Sequence, residues 1–493
     1  MDVAVIIFLS SGLFLGWALG ANDAANVFGT AVGTRMVRFG TAAVICSIFL
    51  ILGAVISGGG AAHTLGKLGA VNALGGAFTA AGAAALAVYL MTRAGLPVST
   101  TQAIVGAIIG WNLFTETRTD TGTLITILST WIICPLLAAG IAAALYKLTT
   151  YVIRATRPHL LRQDAYTRVG LILAGAFGAY SLGANNIANV MGVFVPSSPF
   201  TDFEVIGFGT FSSIQQLFLL GALAIAVGVI TYSKRVMLTV GGRLLPLSPV
   251  GAWVAVVAHS VVLFLFASQG LESLLAGAGL PTIPLVPVSS SQAVVGAVLG
   301  IGLVKGGRAI RWRVLGGISL GWLATPVIAG LFCVIGLFFL QNVFNQEVYR
   351  PISYEISDPV LERLAREGVA VGALEGLKGE TFESAPRLSE RLKAEIGLDR
   401  AARDTILRFA ERHGLVVDPD LLDGLDTDWY TPAQIGALRR IAGQRYSHKW
   451  MFGEALAAET AAWRFRPAEQ VNKIYNKELQ KKLDALFNRF EIR

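Results

Sequence analysis

The chain has 493 residues, of which 54% are hydrophobic and only 15% charged, with a mean hydropathy of +0.61 and a formal net charge of +8. That composition excludes an ordinary soluble or disordered chain and fits a protein that crosses the bilayer many times. The positive balance does not imply a nucleic-acid partner, because Lys and Arg sit in short loops between apolar runs, where the positive-inside rule expects them on the cytoplasmic side.

In chain order, apolar stretches long enough to cross a hydrocarbon core of about 30 Å occupy residues 3–34, 41–60, 72–92, 96–114, 123–146, 169–196, 203–231, 248–268, 281–304 and 314–345. The longest have room for two elements each. The fold class expected is an all-α polytopic membrane protein. The opening stretch reads as a span and not a signal peptide, since Asp2 stands where a basic segment belongs and no cleavage site precedes the continuing apolar run. Cys46, Cys134 and Cys333 lie inside apolar runs without metal-ligand spacing and read as small core residues. Beyond residue 345 the composition turns to mixed charge, which predicts a small, mainly helical soluble domain over 346–493. There "VNKIYNKELQKKLDALFNRF" places Val471, Tyr475, Leu479, Leu483, Phe487 and Phe490 at helical spacing, an amphipathic helix packing on its own domain or a neighbouring subunit. Whether the chain forms a homodimer stays open. Trp450, Trp463 and Phe465 are candidate anchors at a membrane surface.

The membrane part repeats itself. "GANDAANVFG" (Gly20 to Gly29) returns as "GANNIANVMG" (Gly183 to Gly192), and "PVSTTQAIVGAIIG" (Pro97 to Gly110) returns as "PVSSSQAVVGAVLG" (Pro287 to Gly300). A weaker echo pairs Trp131 and Pro135 with Trp322 and Pro326. Offsets of 163 and 190 residues are far longer than a solenoid period and mean a duplicated half.

Loop charges then separate parallel from inverted copies. Arg35 and Arg38 follow the first motif, whereas Asp202 and Glu204 follow its partner. Glu116, Arg118 and Asp120 follow "PVSTTQ", whereas Lys305, Arg308, Arg311 and Arg313 follow "PVSSSQ". Each loop thus faces the side opposite its counterpart, which predicts an inverted-topology repeat with broken or re-entrant helices, the architecture of secondary transporters. Lys67, in a loop placed outside, is the misfit. The expected boundaries are 1–148 for the first repeat, 149–168 for a basic cytoplasmic linker carrying Arg154, Arg157, Arg162 and Arg168, and 169–345 for the second repeat. Alternation puts the C-terminal domain outside.

Asp23 is the acid found deep within a span, with no Lys or Arg in that span to neutralise it. A bound cation would. Asn22, Asp23 and Asn26 share a face or a break in the helix, with Gly20 loosening the backbone, so that oxygens converge on a hard monovalent ion. Asn side chains also serve as packing glue between membrane helices, but the recurrence as Asn185, Asn186 and Asn189 argues against that alone. "LPVSTTQ" and "VPVSSSQ" look like starts of half-helices. Ser99 with Gln102 and Ser289 with Gln292 have capping-box spacing. A cap needs one hydroxyl, yet Ser99, Thr100 and Thr101 and again Ser289, Ser290 and Ser291 supply three each. Two such helix N-termini suit a tetrahedral oxyanion, held by neutral donors with co-bound cations offsetting its charge.

These paired motifs resemble the duplicated signature of the inorganic phosphate transporter (PiT) family, which has sodium-coupled and proton-coupled members; the likeness covers residues 1–345. It implies a substrate site of Asn22, Asp23, Ser99, Thr100, Thr101, Asn185, Asn186, Ser289, Ser290 and Ser291, and cation ligands from Asp23, Asn26, Gln102, Asn189 and Gln292, with sodium the metal in question. It further implies phosphate import across the plasma (inner) membrane by alternating access, coupled to sodium or protons, with no cofactor. One departure is Asn186, where many family members have Asp. The site has one negative charge fewer, which favours an anion needing no carboxylate to accept its proton: phosphate donates a hydrogen bond near neutral pH and sulfate does not. Sulfate permeases resemble this family too, so a sulfate or other oxyanion permease is the rival reading. A membrane enzyme is disfavoured, since no HExxH, GxSxG or His and Cys cluster occurs, and a channel or pure cation exchanger would not need two triple-hydroxyl helix starts. His259 fits a hydrogen-bonded structural role better than a proton relay. His63 reads as incidental, and Gln215 and Gln216 as pathway-lining or interhelical bonding residues.

Overall fold

In hydrocarbon every backbone N–H and C=O must be satisfied within the protein, and the apolar runs accordingly fold as helices. The structure, a computed structural model, describes residues 3–69, 71–93, 98–205, 209–240, 247–308, 310–427 and 429–492; Asp2 and Pro97 lie outside the described residues. The chain divides into two units, the first running to Tyr349 apart from Thr115–Arg118 and Ser273–Thr282, which belong with the second, from Arg350 onward.

The first unit contains α1 (Val3–Gly33), α2 (Phe39–Ser57), α3 (Gly59–Leu68), α4 (Leu74–Arg93), α5 (Thr100–Phe114), α6 (Thr121–Thr156) and α7 (Leu160–Met191). A hairpin follows, β1 (Phe203–Val205) and β2 (Gly209–Phe211), then α8 (Ser213–Thr231), α9 (Ser233–Val240), α10 (Pro249–Ala267), α11 (Gln269–Gly277, which from Ser273 onward belongs with the second unit), α12 (Ser290–Val304) and α13 (Trp312–Asn342). Among the described residues eight helices are long and apolar enough to cross a membrane: α1, α2, α4, α6, α7, α8, α10 and α13. The run at 203–231 holds the hairpin as well as a helix, and the run at 281–304 is extended up to Ser289 before α12 begins. With 15 residues each, α5 and α12 span about 22 Å and fall short of the roughly 30 Å hydrocarbon core. Both start at the hydroxyl triplets. Cys46, Cys134 and Cys333 are buried and free.

Of the two alternatives for the first Asn motif, a shared face or a break in the helix, the structure has the shared face. Both α1 and α7 run unbroken through their Asn motifs, and their glycines serve packing instead. A Cβ on Gly20 would lie 1.9 Å from the Ile225 carbonyl oxygen of α8, and one on Gly183 would lie 2.0 Å from that of Leu50 in α2. The partner helices reciprocate: Gly228 of α8 meets Trp17 O at 2.1 Å and Gly53 of α2 meets Tyr180 O at 2.0 Å on the same construction. The first motif helix therefore crosses the second half's α8, and the second motif helix crosses the first half's α2, at matching residues. The same holds for the half-helices. A Cβ on Gly106 of α5 would collide with Pro326 O in α13, and one on Gly296 of α12 with Pro135 O in α6. Each proline lacks the N–H that would bond the carbonyl four residues earlier, that of Trp131 or Trp322, so the weak Trp–Pro echo marks two seams between the halves.

The second unit is mainly helical and is itself built twice, which the sequence reading missed. Strands β3 (Tyr354–Glu355) and β4 (Thr381–Phe382) pair antiparallel, with α14 (Asp358–Arg366) between them and α15 (Ala385–Ile396) and α16 (Arg400–Ala410) after them. Then β5 (Leu415–Val416) pairs with β6 (Arg445–Tyr446), with α17 (Pro432–Arg440) between and α18 (Lys449–Glu459) and α19 (Lys473–Phe490) after. Gly379 N bonds Ile356 O at 2.9 Å and Gly443 N bonds Val417 O at 2.7 Å, both glycines at positive φ (80° and 79°) where a side chain is disfavoured. Each copy closes with a bridge from its last helix, Tyr354 to Glu411 and Leu415 to Glu491, and each has its own core. Three expectations are corrected here. Val471 is 56% exposed and precedes α19, so the buried stripe is Leu479, Leu483, Leu486, Phe487 and Phe490. Trp463 is no membrane anchor: it is 1% exposed and donates to Gln434 O. Trp450 likewise donates inward, to Phe409 O, whereas Phe465 is exposed.

Two predictions follow from this packing. Alanine at Gly20 or Gly183 drives a methyl into backbone that cannot rotate away, so each should cost about 1–3 kcal/mol and lower the thermal midpoint of detergent-purified protein; alanine at Gly140, which faces open space, should not. In the second unit His413 lies between Glu411 (2.9 Å) and Glu491 (3.2 Å). Burial opposes a charged ring, but the two carboxylates outweigh it and hold His413 above its ordinary 6.5, and they are themselves held below 4.5. The histidine contribution is full below 6.5 and fades as pH rises through the folded value, while the carboxylate contributions are full above 4.5 and fade as pH falls. Hydrogen-exchange protection at residues 411–413, corrected for intrinsic rate, should therefore peak between about 4.5 and 6.5 and flatten in His413→Ala.

Candidate functional site

The crossing of α1 and α7 sets the site. Asn22, Asp23 and Asn26 fall on one face of α1 through i, i+3 and i, i+4 spacing, and Asn185, Asn186 and Asn189 do so on α7. All are buried except Asn22, which is half-buried. Asp23 is 2% exposed and accepts two amide hydrogen bonds, Asn22 Nδ2 to Oδ1 at 3.0 Å and Asn186 Nδ2 to Oδ2 at 3.0 Å. The first and second motifs thus touch directly. Asn186 Oδ1 in turn accepts from Asn185 at 2.7 Å and Asn189 at 3.3 Å.

The second motif also holds the half-helices. The extended segment before α12 has backbone groups that need partners once buried. Asn185 supplies both, accepting from Val288 N at 2.9 Å and donating to Val288 O at 2.7 Å. Thr101 from α5 donates to the same carbonyl at 3.2 Å and accepts from Asn189 at 2.9 Å. Asn26 Nδ2 donates to Ser290 Oγ at 2.9 Å. Asn22, the counterpart of Asn185, makes the matching bond to its neighbour, Asp23, but no such clamp among the described residues.

The capping boxes form by half. Ser99 Oγ accepts from Gln102 N at 3.2 Å and Ser289 Oγ from Gln292 N at 3.3 Å. In a full box the glutamine side chain would return to the cap N–H. Here Gln102 Oε1 and Gln292 Oε1 are buried without a partner, as is Asn189 Oδ1. Such orphaned acceptors are rare. Oxygen acceptors of this kind, like the Asp23 carboxylate, are the ligands a hard monovalent cation takes, and hydroxyls and N–H groups at helix starts such as those of α5 and α12 are the donors an oxyanion takes. Hydrogen bonds tie Asp23, Asn22, Asn185, Asn186, Asn189 and Thr101 into one network, and Asn26 to Ser290. Ser99, Thr100, Gln102, Ser289, Ser291 and Gln292 are buried at the helix starts but bond to none of the Asn motif side chains.

Among the remaining candidates, His259 of α10 is fully buried and places Nε2 3.0 Å from Ser290 Oγ. Gln215 and Gln216 neither line this cluster nor bond between membrane helices. Gln215 completes a capping box with Ser212, and Gln216 donates to Thr201 O and Phe211 O in the hairpin region; a polar pair at a helix start is the signal that could have shown this.

Membrane-length helices around half-length helices and a buried cluster of amides, hydroxyls and one carboxylate place the chain in the class of multi-pass integral membrane transporters, not enzymes. Residues 19–333, with an overlapping second match at 280–378, fit the sequence profile of the phosphate transporter family, and the chain belongs to that family. It is 28% identical to the "Putative phosphate permease" of Methanocaldococcus jannaschii, over 67% of this chain and 95% of that one. It is also 28% identical to a sulfate permease of Bacillus subtilis, over 67% and 85%. Among solved structures it is similar to one titled "The sodium-dependent phosphate transporter", with a TM-score of 0.55 and 22% identity over 69% of this chain and 99% of that one. That likeness is one of fold.

Asn186→Asp would bring a second carboxylate to about the 3.0 Å now spanned by a hydrogen bond, and like charges so close cannot both stay ionised without a counter-ion. The variant should melt several degrees below wild type in sodium-free buffer and recover more than wild type when sodium is added, as measured by a thermal-shift titration.

Proposed function

We propose that the chain imports inorganic phosphate across the plasma membrane, coupled to a monovalent cation gradient, by alternating access of two inverted halves about the polar cluster. The observation that carries this reading is that the buried Asp23 carboxylate is hydrogen-bonded to the second Asn motif, which in turn holds Thr101 and Val288 at the two hydroxyl-rich helix starts, while Gln102, Asn189 and Gln292 of these motifs keep orphaned amide oxygens. Oxygen ligands without donors call for a cation; helix N-termini without Lys or Arg call for an anion whose charge that cation offsets. The anion would be held by Ser99, Thr100 and Thr101 with Ser289, Ser290 and Ser291, and by Asn22, Asp23, Asn185 and Asn186. The cation would take Asp23, Asn26, Gln102, Asn189 and Gln292. Family membership supports phosphate, and the sodium dependence named for the similar solved structure supports sodium over protons. The sign reversal of Lys and Arg between corresponding loops supports inversion.

A sulfate permease is the second reading, favoured by one observation. Asn186 occupies Asp23 Oδ2 as a donor, which removes one charged acceptor from the site, and an anion without a proton to donate tolerates this best. The sulfate permease among the relatives points the same way.

Uptake of radiolabelled phosphate into proteoliposomes, driven separately by sodium and proton gradients with sulfate as competitor, tests both. Sodium-driven phosphate accumulation is expected, with sulfate competing weakly; sulfate uptake that phosphate does not inhibit would reverse the assignment. Asp23→Asn should reduce cation-driven uptake to the level of empty liposomes while leaving the purified protein folded. Wild-type transport by that variant defeats the cation role of Asp23.

A further inference from the structure

We infer that His259 is a positioning residue that makes the Ser290 hydroxyl an obligate donor to the transported anion. The inference rests on the reading that Ser290 contacts that anion. A serine hydroxyl has one proton and two lone pairs. Asn26 Nδ2 donates to Ser290 Oγ at 2.9 Å and fills the first lone pair. His259 Nε2 lies 3.0 Å from the same oxygen, and its Nδ1 is buried with no partner. Two neutral tautomers exist. With the proton on Nδ1, the ring would bury an orphaned N–H donor, the rarer and costlier defect. With the proton on Nε2, the orphan is only a lone pair, and His259 donates to Ser290. A doubly protonated ring would restore the orphaned N–H. The neutral Nε2–H form is therefore selected, both lone pairs of Ser290 are filled, and its proton must point to a third acceptor.

The other hydroxyls are occupied differently. The first of each triplet caps its helix: Ser99 accepts from Gln102 N and Ser289 from Gln292 N. The third is tied to the framework, Thr101 to Val288 O and Ser291 to Ser289 Oγ. Thr101 spends its proton on Val288 O, Thr100 has no protein partner among the described residues, and Ser290 alone has both lone pairs filled, so that its proton is the one whose direction the protein fixes. No histidine bonds Thr100, so the duplicated site is polarised on one side by α10.

Proteoliposome uptake of phosphate, with sulfate run in parallel, tests this through KM and maximal rate separately. His259→Phe and His259→Asn, whose amide ends near the Nδ1 position and falls short of Ser290, should each raise the anion KM about tenfold, the loss of one buried hydrogen bond of roughly 1.4 kcal/mol, with maximal rate and cation KM within about twofold. His259→Gln, whose Nε2 reaches Ser290, should restore the anion KM to within about threefold of wild type. Ser290→Ala should raise the KM at least as much, and adding His259→Asn to it should change nothing further, because the histidine acts through that hydroxyl. If Ser290→Ala raises the KM but His259→Asn does not, or if their effects add, the positioning role is overturned while the anion site stands. An unchanged KM in Ser290→Ala overturns both.

Discussion

A carboxylate buried where two membrane helices cross is the constraint on which the rest of this structure turns. Asp23 has no basic side chain in its span and is shut off from solvent, so its charge must be met by dipoles or by a mobile counter-ion. Two amide donors meet part of it. What they leave is an attraction for a cation, and Asn189 on the crossing helix carries an unfilled amide oxygen as well. Under the proposed reading that is how the site couples: a cation stabilises the cluster, and the cluster with the cation in place accepts an anion that it would otherwise repel.

Packing and chemistry are written into the same short segment. Gly20 and Gly183 admit the carbonyls of Ile225 and Leu50, and only because those backbones close in do α1 and α7 bring Asp23 within hydrogen-bond reach of Asn186. The half-helices depend on the crossing in turn, since Asn185 clamps Val288 and Asn189 holds Thr101. The prolines at 135 and 326, against Gly296 and Gly106, hold the middles of those half-helices against α6 and α13.

Much of this was legible in the residues. Spans followed from apolar length, and the duplicated polar motifs identified themselves because amides and hydroxyl triplets are costly in hydrocarbon unless used. The errors have a common cause. Gly20 read as loosening the backbone, since a glycine in sequence looks like lost helix propensity, and only the partner helix reveals it as a contact. Gln215 and Gln216 looked available for the pathway because spacing does not tell a cap from a lining. The apolar count could not separate Trp463 in a core from a tryptophan at a lipid interface. The doubled C-terminal unit was missed because its shared pattern, Leu374, Leu377, Gly379 and Phe382 against Leu438, Ile441, Gly443 and Tyr446, is short and its intervening segments differ in length.

The two halves have also ceased to be equivalent, and the asymmetry is concentrated at the charge. With Asp at 23 and Asn at 186, the duplicated carboxylate position has become one acceptor and one donor, joined by a hydrogen bond where two acids would repel. Asn22 and Asn185 each donate to the residue that follows, Asp23 and Asn186, but Asn185 also binds the backbone of Val288 before α12. Under the proposed reading, a dianion entering this cluster meets one fixed negative charge instead of two, so one fewer cation leaves the same residual charge in a medium that penalises any. Substituting a single amide for an acid thereby changes the electrical work of transport without moving a helix, and it does so at the contact that holds the two motifs together.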